Sequence, residues 1–419
     1  DMHAVGAAHN QFAAAIDNRL AKEYRWSTSY LAKALCPDDE YTPSMCKRLE
    51  KLGIESEKPS DLSDEDKERM FRLNIDPDSI QWRRVVDVSD AALRNIIVGL
   101  GPKTDGVTRQ TGYDILVASE IMAALAMCSD LADLRDRMGR IIIGTSNPGG
   151  GPTVHPVEPI TAEDLNVAGA MTVLLKDAIM PNLMQTLAGS PAFVHCGPFA
   201  NIAQGNSSII ADKIALKLAD YVVTESGFGA DCGMEKFMNL KSRYSGLVPN
   251  CVVLVSTIRA LKMHGGGPKV VAGKPLAKEY VEENLELLEA GLPNLLQHIE
   301  NALKFGVSVV VAINRFKDDT DAEVELVRTG AKDTGAFDVA ESRVWMEGAA
   351  GGAELAEAVV AACEQPTDFR FLYPDEYSIK EKIETVAKEI YRADGVSYTC
   401  LLYTSPSPRD CVSNRVWRL

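Results

Sequence analysis

The densest group of chemically active side chains in this sequence follows an apolar run at 251–255. Residues 256–268 read Ser-Thr-Ile-Arg-Ala-Leu-Lys-Met-His-Gly-Gly-Gly-Pro. Hydroxyls, cations, an imidazole and glycines together suit a phosphate or nucleotide, because glycine lets backbone N–H groups approach an anion closely. The residues that this interpretation assigns to a nucleotide are Thr257, Arg259, Lys262, His264, Gly265 and Gly266. The alternative is a basic helix start followed by an ordinary loop.

Two aromatic residues occupy comparable places later in the chain. Phe316 follows the apolar run at 307–313, and Trp345 comes just after the next predicted strand. Aromatic side chains beyond strand ends can clamp a flat heteroaromatic ring by stacking. The residue types alone leave open whether the two rings bind a ligand or pack in the core.

Four further polar residues are candidates for a supporting role. His195 and Asn201 flank a Gly-Pro-Phe-Ala turn, which is also compatible with a purely structural turn. Glu225 and Asp231 flank a Gly-Phe-Gly segment, where a carboxylate could hold Mg²⁺ or a bound water. For Asp231 an N-cap role at the following helix is the favoured interpretation. No residue is assigned as a metal ligand.

The elements that must position these groups alternate along the chain. Apolar, β-branched runs occur at 84–88, 141–143, 192–194, 221–223, 251–255 and 307–313. Helical patterns are predicted at about 3–23, 111–138, 208–219, 277–304 and 353–364. Buried strands separated by helices indicate an α/β fold with a doubly wound, mainly parallel sheet. In such sheets ligands bind beyond the carboxyl ends of the strands, which is where the candidate residues stand.

The amino-acid composition limits the classes of partner and the compartment that are expected for the protein. The chain carries 59 acidic and 44 basic residues, a formal charge of −15, so its overall field repels nucleic acid and anionic membranes. Nine cysteines occur with no Cys-x-x-Cys pair, and no apolar run reaches the length of a membrane span. A reducing, cytoplasmic-type compartment is the expectation, with the mitochondrion as the alternative.

The run at 255–266 resembles the second signature of the formate–tetrahydrofolate ligase family, with Ser256 where the family usually has Ala. Other blocks that resemble the family stand at 82–85, 174–179, 191–203 and 223–231, in the family's order. The resemblance extends over roughly 1–395 and is closest to the eukaryotic-type synthetase domain.

This resemblance implies an enzyme that joins formate to tetrahydrofolate through formyl phosphate, yielding 10-formyltetrahydrofolate, ADP and phosphate. It implies ATP, Mg²⁺ and a monovalent cation as cofactors, small-molecule substrates and a homo-oligomer. Phe316 and Trp345 match the residues that sandwich the pterin of the folate in the family. The implied fold is of the P-loop NTPase-like type with a second, smaller α/β domain.

The P-loop itself is missing from the sequence, since no Gly-x-x-x-x-Gly-Lys-Ser/Thr segment occurs in the 419 residues. The P-loop lysine and the arginine that holds formyl phosphate are therefore unassigned, and the catalytic residues are unknown. The expectation is a chain truncated at both ends and inactive alone. A non-catalytic folate- or nucleotide-binding fragment or assembly subunit is the alternative. A SIMIBI-type NTPase would share the fold but not these motifs.

Three segments are expected along the chain. Residues 1–305 form the remainder of a nucleotide-binding α/β domain, and 306–395 form the second domain, which contributes the folate site. Residues 396–419, rich in Ser, Pro and Arg, are expected to be a non-native or disordered tail.

Overall fold

The computed structural model describes residues 1–147 and 157–398. The expected tail at 396–419 therefore lies almost wholly outside the described residues, as does the glycine-rich segment 148–156. The chain divides into two compact units, Asp1–Glu225 and Ser226–Leu419. Within the described ranges, none of the helices combines the length and the apolar character that crossing a bilayer requires.

The first unit is mainly helical. Its helices are α1 (Met2–Arg25), α2 (Thr28–Leu35), α3 (Pro43–Leu52), α4 (Asp64–Phe71), α5 (Glu120–Met127), α6 (Leu131–Arg140), α7 (Ala168–Leu175) and α8 (Ile209–Leu218). Helix α1 buries Val5, Phe12 and Ile16 in the main core, together with apolar side chains of α5 and α7. The single helix expected at 111–138 is wrong in two respects, since Tyr113–Ile115 form a strand and the remainder is divided into two helices, with Ser119 capping α5 and Asp130 capping α6.

The strands of the first unit are short. They are β1 (Arg84–Val86), β2 (Ile96–Val98), β3 (Arg109–Thr111), β4 (Tyr113–Ile115), β5 (Ile142–Thr145), β6 (Pro159–Thr161), β7 (Asn182–Gln185) and β8 (Pro191–Val194). Among the described residues of this unit they form four pairs, of which only β1–β4 is parallel. The expected run at 221–223 forms no strand. A continuous parallel sheet is therefore not what organises this unit, since its core is built on helices.

The second unit contains a three-stranded parallel sheet. Its strands are β9 (Cys251–Ser256), β10 (Ser308–Asn314) and β11 (Asp338–Ser342). Its helices are α9 (Ser242–Ser245), α10 (Ile258–His264), α11 (Lys278–Val281), α12 (Leu285–Leu303), α13 (Asp321–Asp333), α14 (Val344–Glu347), α15 (Ala353–Cys363) and α16 (Ile379–Glu389). Two π-helical segments, Ala230–Met234 and Phe237–Lys241, precede α9.

Strand β10 lies between β9 and β11 and pairs with both in parallel. Its side chains alternate between two buried layers. Val309, Val311 and Ile313 pack in the cluster that contains α12 and α13, whereas Val310 packs against Ala358 of α15. A strand buried on both faces reads as a continuous apolar run, which is the pattern of 307–313. The α/β class with parallel pairing is confirmed.

The pairing of β9 with β10 also bears on the domain expectation. The boundary expected at 305/306 falls between two adjacent strands of one sheet, inside the second unit. The long helix α12 stands between these two strands in the sequence. In the structure α12 is the crossover that parallel neighbours require, so it joins β9 to β10 within one core.

Candidate functional site

The carboxyl ends of the three parallel strands meet at one edge of the second unit. Ser256 of β9 pairs with Ile313 of β10, and Asn314 pairs with Ser342 of β11. The segments that leave this edge carry Arg259, Phe316 and Trp345. This is the edge at which open α/β sheets bind ligands, and the structure brings two of the nucleotide candidates, Thr257 and Arg259, to it together with segments that carry the folate candidates.

Phe316 lies in a tight turn directly after β10. Its backbone N–H donates to Asp319 Oδ2 at 2.8 Å, and the Asp319 N–H donates to the Phe316 carbonyl at 3.2 Å. The guanidinium of Arg259 lies 4.2 Å from the centre of the Phe316 ring and pairs with Asp318 Oδ2 at 2.9 Å. A residue predicted for the nucleotide thus touches a residue predicted for the folate.

Trp345 lies in the short helix α14 that follows β11, and the residue is 90% exposed. A backbone hydrogen bond closes the segment 343–351, in which the Arg343 N–H donates to the Gly351 carbonyl at 2.9 Å. A Cβ on Gly351 would lie 2.6 Å from the Arg343 backbone, so only glycine permits this approach. A large, exposed indole on a braced segment is available to stack on a ligand.

A charged cluster that sequence reasoning missed joins the two segments that carry the aromatics. Arg315 and Arg343 both donate to Glu341 Oε2, at 2.9 and 2.8 Å, and Arg315 also pairs with Asp321 at 2.6 Å. Burial raises the pKa of the Glu341 carboxyl, but the two arginines outweigh it and lower that pKa. Glu341 follows the apolar residues Val339 and Ala340 in the sequence, and this acidic residue was the signal from which the cluster could have been predicted.

Lys262 does not face the candidate site. Its side chain is 1% exposed, and its ammonium lies 2.5 Å from Glu323 Oε1 and donates to the Glu282 carbonyl at 2.8 Å. Burial raises the pKa of Glu323, but hydrogen bonds from Lys262 and from the Asn284 amide overcome this and lower it. The expectation that Lys262 contacts a nucleotide does not match this structure, because both charges are already paired inside the unit.

The glycines after α10 serve helix packing. A Cβ on Gly265 would lie 2.0 Å from the Leu287 carbonyl oxygen, so Gly265 is the point where α10 and α12 touch. The Gly265 and Gly266 amides donate to the carbonyls of Leu261 and Met263, and Gly266 has a positive φ of 100°. These N–H groups are therefore committed to the helix end, contrary to the expectation that they approach a phosphate.

The remaining residues of this motif lie at the ends of α10. Thr257 is the N-cap, because its hydroxyl accepts the Ala260 N–H at 3.1 Å. His264 is exposed at the C-terminal end of the helix. Of the predicted nucleotide residues, Thr257 and Arg259 lie at the carboxyl edge of the sheet.

His195 belongs to the first unit and is buried. Its Nδ1 lies 2.6 Å from the Ser208 hydroxyl and its Nε2 lies 2.7 Å from the Ala178 carbonyl. Burial lowers the pKa of its imidazole. Asp1, His195 and Cys196 bring donor atoms within 4.8 Å of one another, but both nitrogens of His195 already have partners. The structural interpretation of this histidine is the one that the geometry favours.

The other supporting candidates differ in their surroundings. Asn201 and Glu225 are exposed, and the Glu225 carbonyl accepts the side-chain amide of Asn206 at 3.5 Å. Asp231 lies inside the first π-helical segment, whose N-cap is Gly229, so the expected N-cap role is wrong. The backbone carbonyl of Asp231 accepts the Tyr391 hydroxyl at 3.2 Å.

With this geometry established, comparison with known proteins identifies the family. A family model described as formate–tetrahydrofolate ligase matches residues 1–403. The formate–tetrahydrofolate ligase of Spinacia oleracea is 54% identical over 95% of this chain and 63% of its own length. The cytoplasmic C-1-tetrahydrofolate synthase of Mus musculus is 53% identical over 94% of this chain and 42% of its own length.

A bacterial relative is similar as well. The formate–tetrahydrofolate ligase of Desulforamulus reducens is 59% identical over 78% of this chain and 56% of its own length. The chain belongs to the formate–tetrahydrofolate ligase family. It spans less than two thirds of the length of each of these three relatives.

Proposed function

We propose that the protein joins formate to tetrahydrofolate at the expense of ATP, through formyl phosphate, and releases 10-formyltetrahydrofolate, ADP and phosphate. The observation that carries this proposal is the placement of Phe316 and Trp345. They follow neighbouring parallel strands and leave the same edge of the sheet, and Trp345 is 90% exposed. Membership of the family supports the same reaction.

In this proposal the two aromatic rings hold the pterin. Phe316 is fixed by its turn, and Trp345 stands on a segment that is braced at Arg343. Stacking of a flat ring on an aromatic side chain contributes about 1–3 kcal/mol in nucleic-acid systems, which gives the scale. Holding the pterin at the sheet edge would present N10 of the folate to an activated formyl group bound beside it, and such positioning is itself a source of rate.

The nucleotide is proposed to bind beside Thr257 and Arg259 at the end of β9, with His264 as the remaining candidate from the motif. ATP would supply the phosphoryl group that activates formate, and Mg²⁺ would accompany it. Arg259 is the cation nearest the folate side, because its guanidinium lies on the Phe316 ring. A cation at this place can stabilise a bound anion as well as the aromatic ring.

Finer features follow from the family and are part of the proposal. We infer a sheet of the P-loop NTPase-like type in the whole protein, a monovalent cation and a homo-oligomeric assembly. The compartment is proposed to be the cytoplasm, with the mitochondrion as the alternative. One relative from Mus musculus is named as cytoplasmic and another as mitochondrial, which supports both.

The test is the affinity of the chain for tetrahydrofolate, measured by calorimetry under argon. Trp345→Ala should weaken this binding by roughly ten- to a hundredfold, from the stacking scale and about 1.4 kcal/mol per decade. ATP affinity should change little, because Trp345 follows a different strand from Thr257. Tyr377→Ala is the matched control, since Tyr377 is an exposed aromatic of the same unit.

Two results would contradict the proposed folate site. One is a wild-type chain that binds no tetrahydrofolate. The other is an equal loss of ATP and tetrahydrofolate affinity in Trp345→Ala, which would mean that the indole supports the fold of the edge as a whole.

A further inference from the structure

Two hydrogen bonds between Phe316 and Asp319 close the turn that carries Phe316. The Phe316 N–H donates to the Asp319 carboxylate at 2.8 Å, and the Asp319 N–H donates back to the Phe316 carbonyl at 3.2 Å. The second bond is that of a β-turn, whereas the first uses a side chain to hold the amide at the start of the turn. The backbone of Phe316 is therefore fixed from two sides.

Asp319 is an unusual residue for this task because it is buried, with 5% of its surface exposed. Burial raises the pKa of its carboxyl, against the hydrogen bond from the Phe316 amide and the attraction of Arg259. A buried carboxylate is costly unless it accepts hydrogen bonds, so the Phe316 amide is its compensating partner.

The turn is also anchored to the rest of the unit. The next residue, Thr320, begins α13 in a reciprocal capping box with Glu323. Glu323 in turn accepts the Lys262 ammonium at 2.5 Å and the Asn284 amide at 2.9 Å. Through Lys262 the turn is connected to α10, the helix that also carries Arg259. Helix α10 therefore anchors the turn through Lys262 and also places the guanidinium of Arg259 on the Phe316 ring.

The contact of Arg259 with Phe316 restricts the ring itself. The guanidinium lies 4.2 Å from the ring centre and is oriented by its 2.9 Å ion pair with Asp318. Among the described residues the buried Nε of Arg259 has no hydrogen-bond partner, so the ring and Asp318 are what orient this guanidinium. A guanidinium on one face of a ring leaves the opposite face for a ligand.

We propose that Asp319 and Arg259 are positioning residues that hold Phe316 as a one-sided stacking platform. Asp319 fixes the backbone of Phe316, and Arg259 covers one face of its ring, so that a flat ligand can stack only on the other face. The inference rests on the proposed folate site for its ligand, but not for the arrangement of the three residues. It adds two residues to the folate side that the sequence either left unassigned or assigned to the nucleotide.

The first test is tetrahydrofolate binding by the 419-residue chain, measured by calorimetry under argon. Asp319→Ala removes the acceptor of the Phe316 amide and should weaken binding about tenfold, the scale of one lost positioning contact. Asp319→Asn keeps a carbonyl oxygen at this position and should restore most of the affinity. Asp333→Ala, which changes an exposed aspartate at the end of α13, should have no effect.

Arg259 is tested with a matched pair of variants. Arg259→Ala exposes the second face of the ring and should weaken tetrahydrofolate binding about tenfold, whereas Arg259→Lys retains a cation and should lose less. Equal affinities in wild type, Asp319→Ala and Arg259→Ala would overturn the proposal. Equal losses in Asp319→Ala and Asp319→Asn would also overturn it, because the acceptor would then not be the cause.

A second measurement needs no ligand and separates this proposal from the proposed function. Hydrogen–deuterium exchange of the Phe316 amide should be slow in the wild type, fast in Asp319→Ala and slow again in Asp319→Asn. This pattern, in a wild-type chain that binds no tetrahydrofolate, would refute the folate site and leave the positioning role standing. Unchanged exchange in Asp319→Ala, in a chain that does bind tetrahydrofolate, would refute the positioning role alone.

Discussion

Lys262 and Glu323 form a fully buried ion pair, with 2.5 Å between the ammonium nitrogen and Oε1. The pair links α10 to the start of α13, and Glu323 also accepts the Asn284 amide at 2.9 Å. Removing one member of such a pair leaves an uncompensated charge in the interior. The pair is consequently a point at which the second unit can be destabilised selectively.

The first prediction concerns this ion pair. Lys262→Met should lower the free energy of unfolding of the second unit by about 3–5 kcal/mol, because Glu323 would remain buried without its cation. The double variant Lys262→Met with Glu323→Gln should recover part of this loss. Denaturant unfolding measures both. If the free energy of unfolding of Lys262→Met lies within about 1 kcal/mol of the wild-type value, the ion pair contributes little to stability.

A second prediction concerns acid stability and His9. Burial lowers the pKa of this imidazole from 6.5 to about 4, against the hydrogen bond of Nε2 to the Arg83 carbonyl. The unfolded chain therefore binds the proton first, so His9 stabilises the folded state fully above pH 6.5 and loses this contribution as the pH falls towards 4. This difference in pKa between the unfolded and the folded state corresponds to about 3 kcal/mol in the free energy of unfolding.

The measurement is the pH dependence of unfolding of the first unit. His9→Gln should flatten the loss of stability between neutral pH and pH 4, whereas His3→Gln, at an exposed position, should not. An unchanged slope in His9→Gln would assign the acid sensitivity to other groups, among them His195, whose pKa is also lowered by burial.

The third prediction addresses a glycine that the sequence assigned to the nucleotide. Gly265→Ala places a methyl group 2.0 Å from the Leu287 carbonyl oxygen and should destabilise the second unit by about 1–3 kcal/mol through overpacking. Gly169→Ala, in a helix where the new methyl group meets nothing within 4 Å, should be neutral or slightly stabilising. If Gly265→Ala keeps its melting temperature but loses ATP binding, the nucleotide interpretation of this glycine would be the correct one.

The sequence was most informative where pattern and position coincide. The apolar run at 307–313 predicted a doubly covered strand, and the rule that ligands bind at the carboxyl edge placed Phe316 and Trp345 on neighbouring segments. The buried environment of Lys262 could not be predicted in the same way. Its partner Glu323 lies on another helix, and a lysine in a basic motif looks alike whether its charge is buried or exposed.

The first unit shows a different limit. Short apolar runs such as 192–194 and 221–223 predict strands, but the run at 192–194 falls in an antiparallel pair and the run at 221–223 forms no strand. Periodicity cannot distinguish these outcomes over three residues, because pairing depends on neighbours far along the chain. The helix break before Asp130 was visible as a capping residue, but only in retrospect.

The double burial of β10 has a consequence for how the candidate site can move. Val310 belongs to one apolar layer and Val309 to the other, so we expect the amides of this strand to exchange only when both layers open together. The turn at Phe316 is a direct continuation of that strand. Its orientation therefore draws on the cooperative stability of the whole unit. Entry of a ligand into the proposed folate site would accordingly use side-chain motion of the exposed Trp345 and not local melting of this turn.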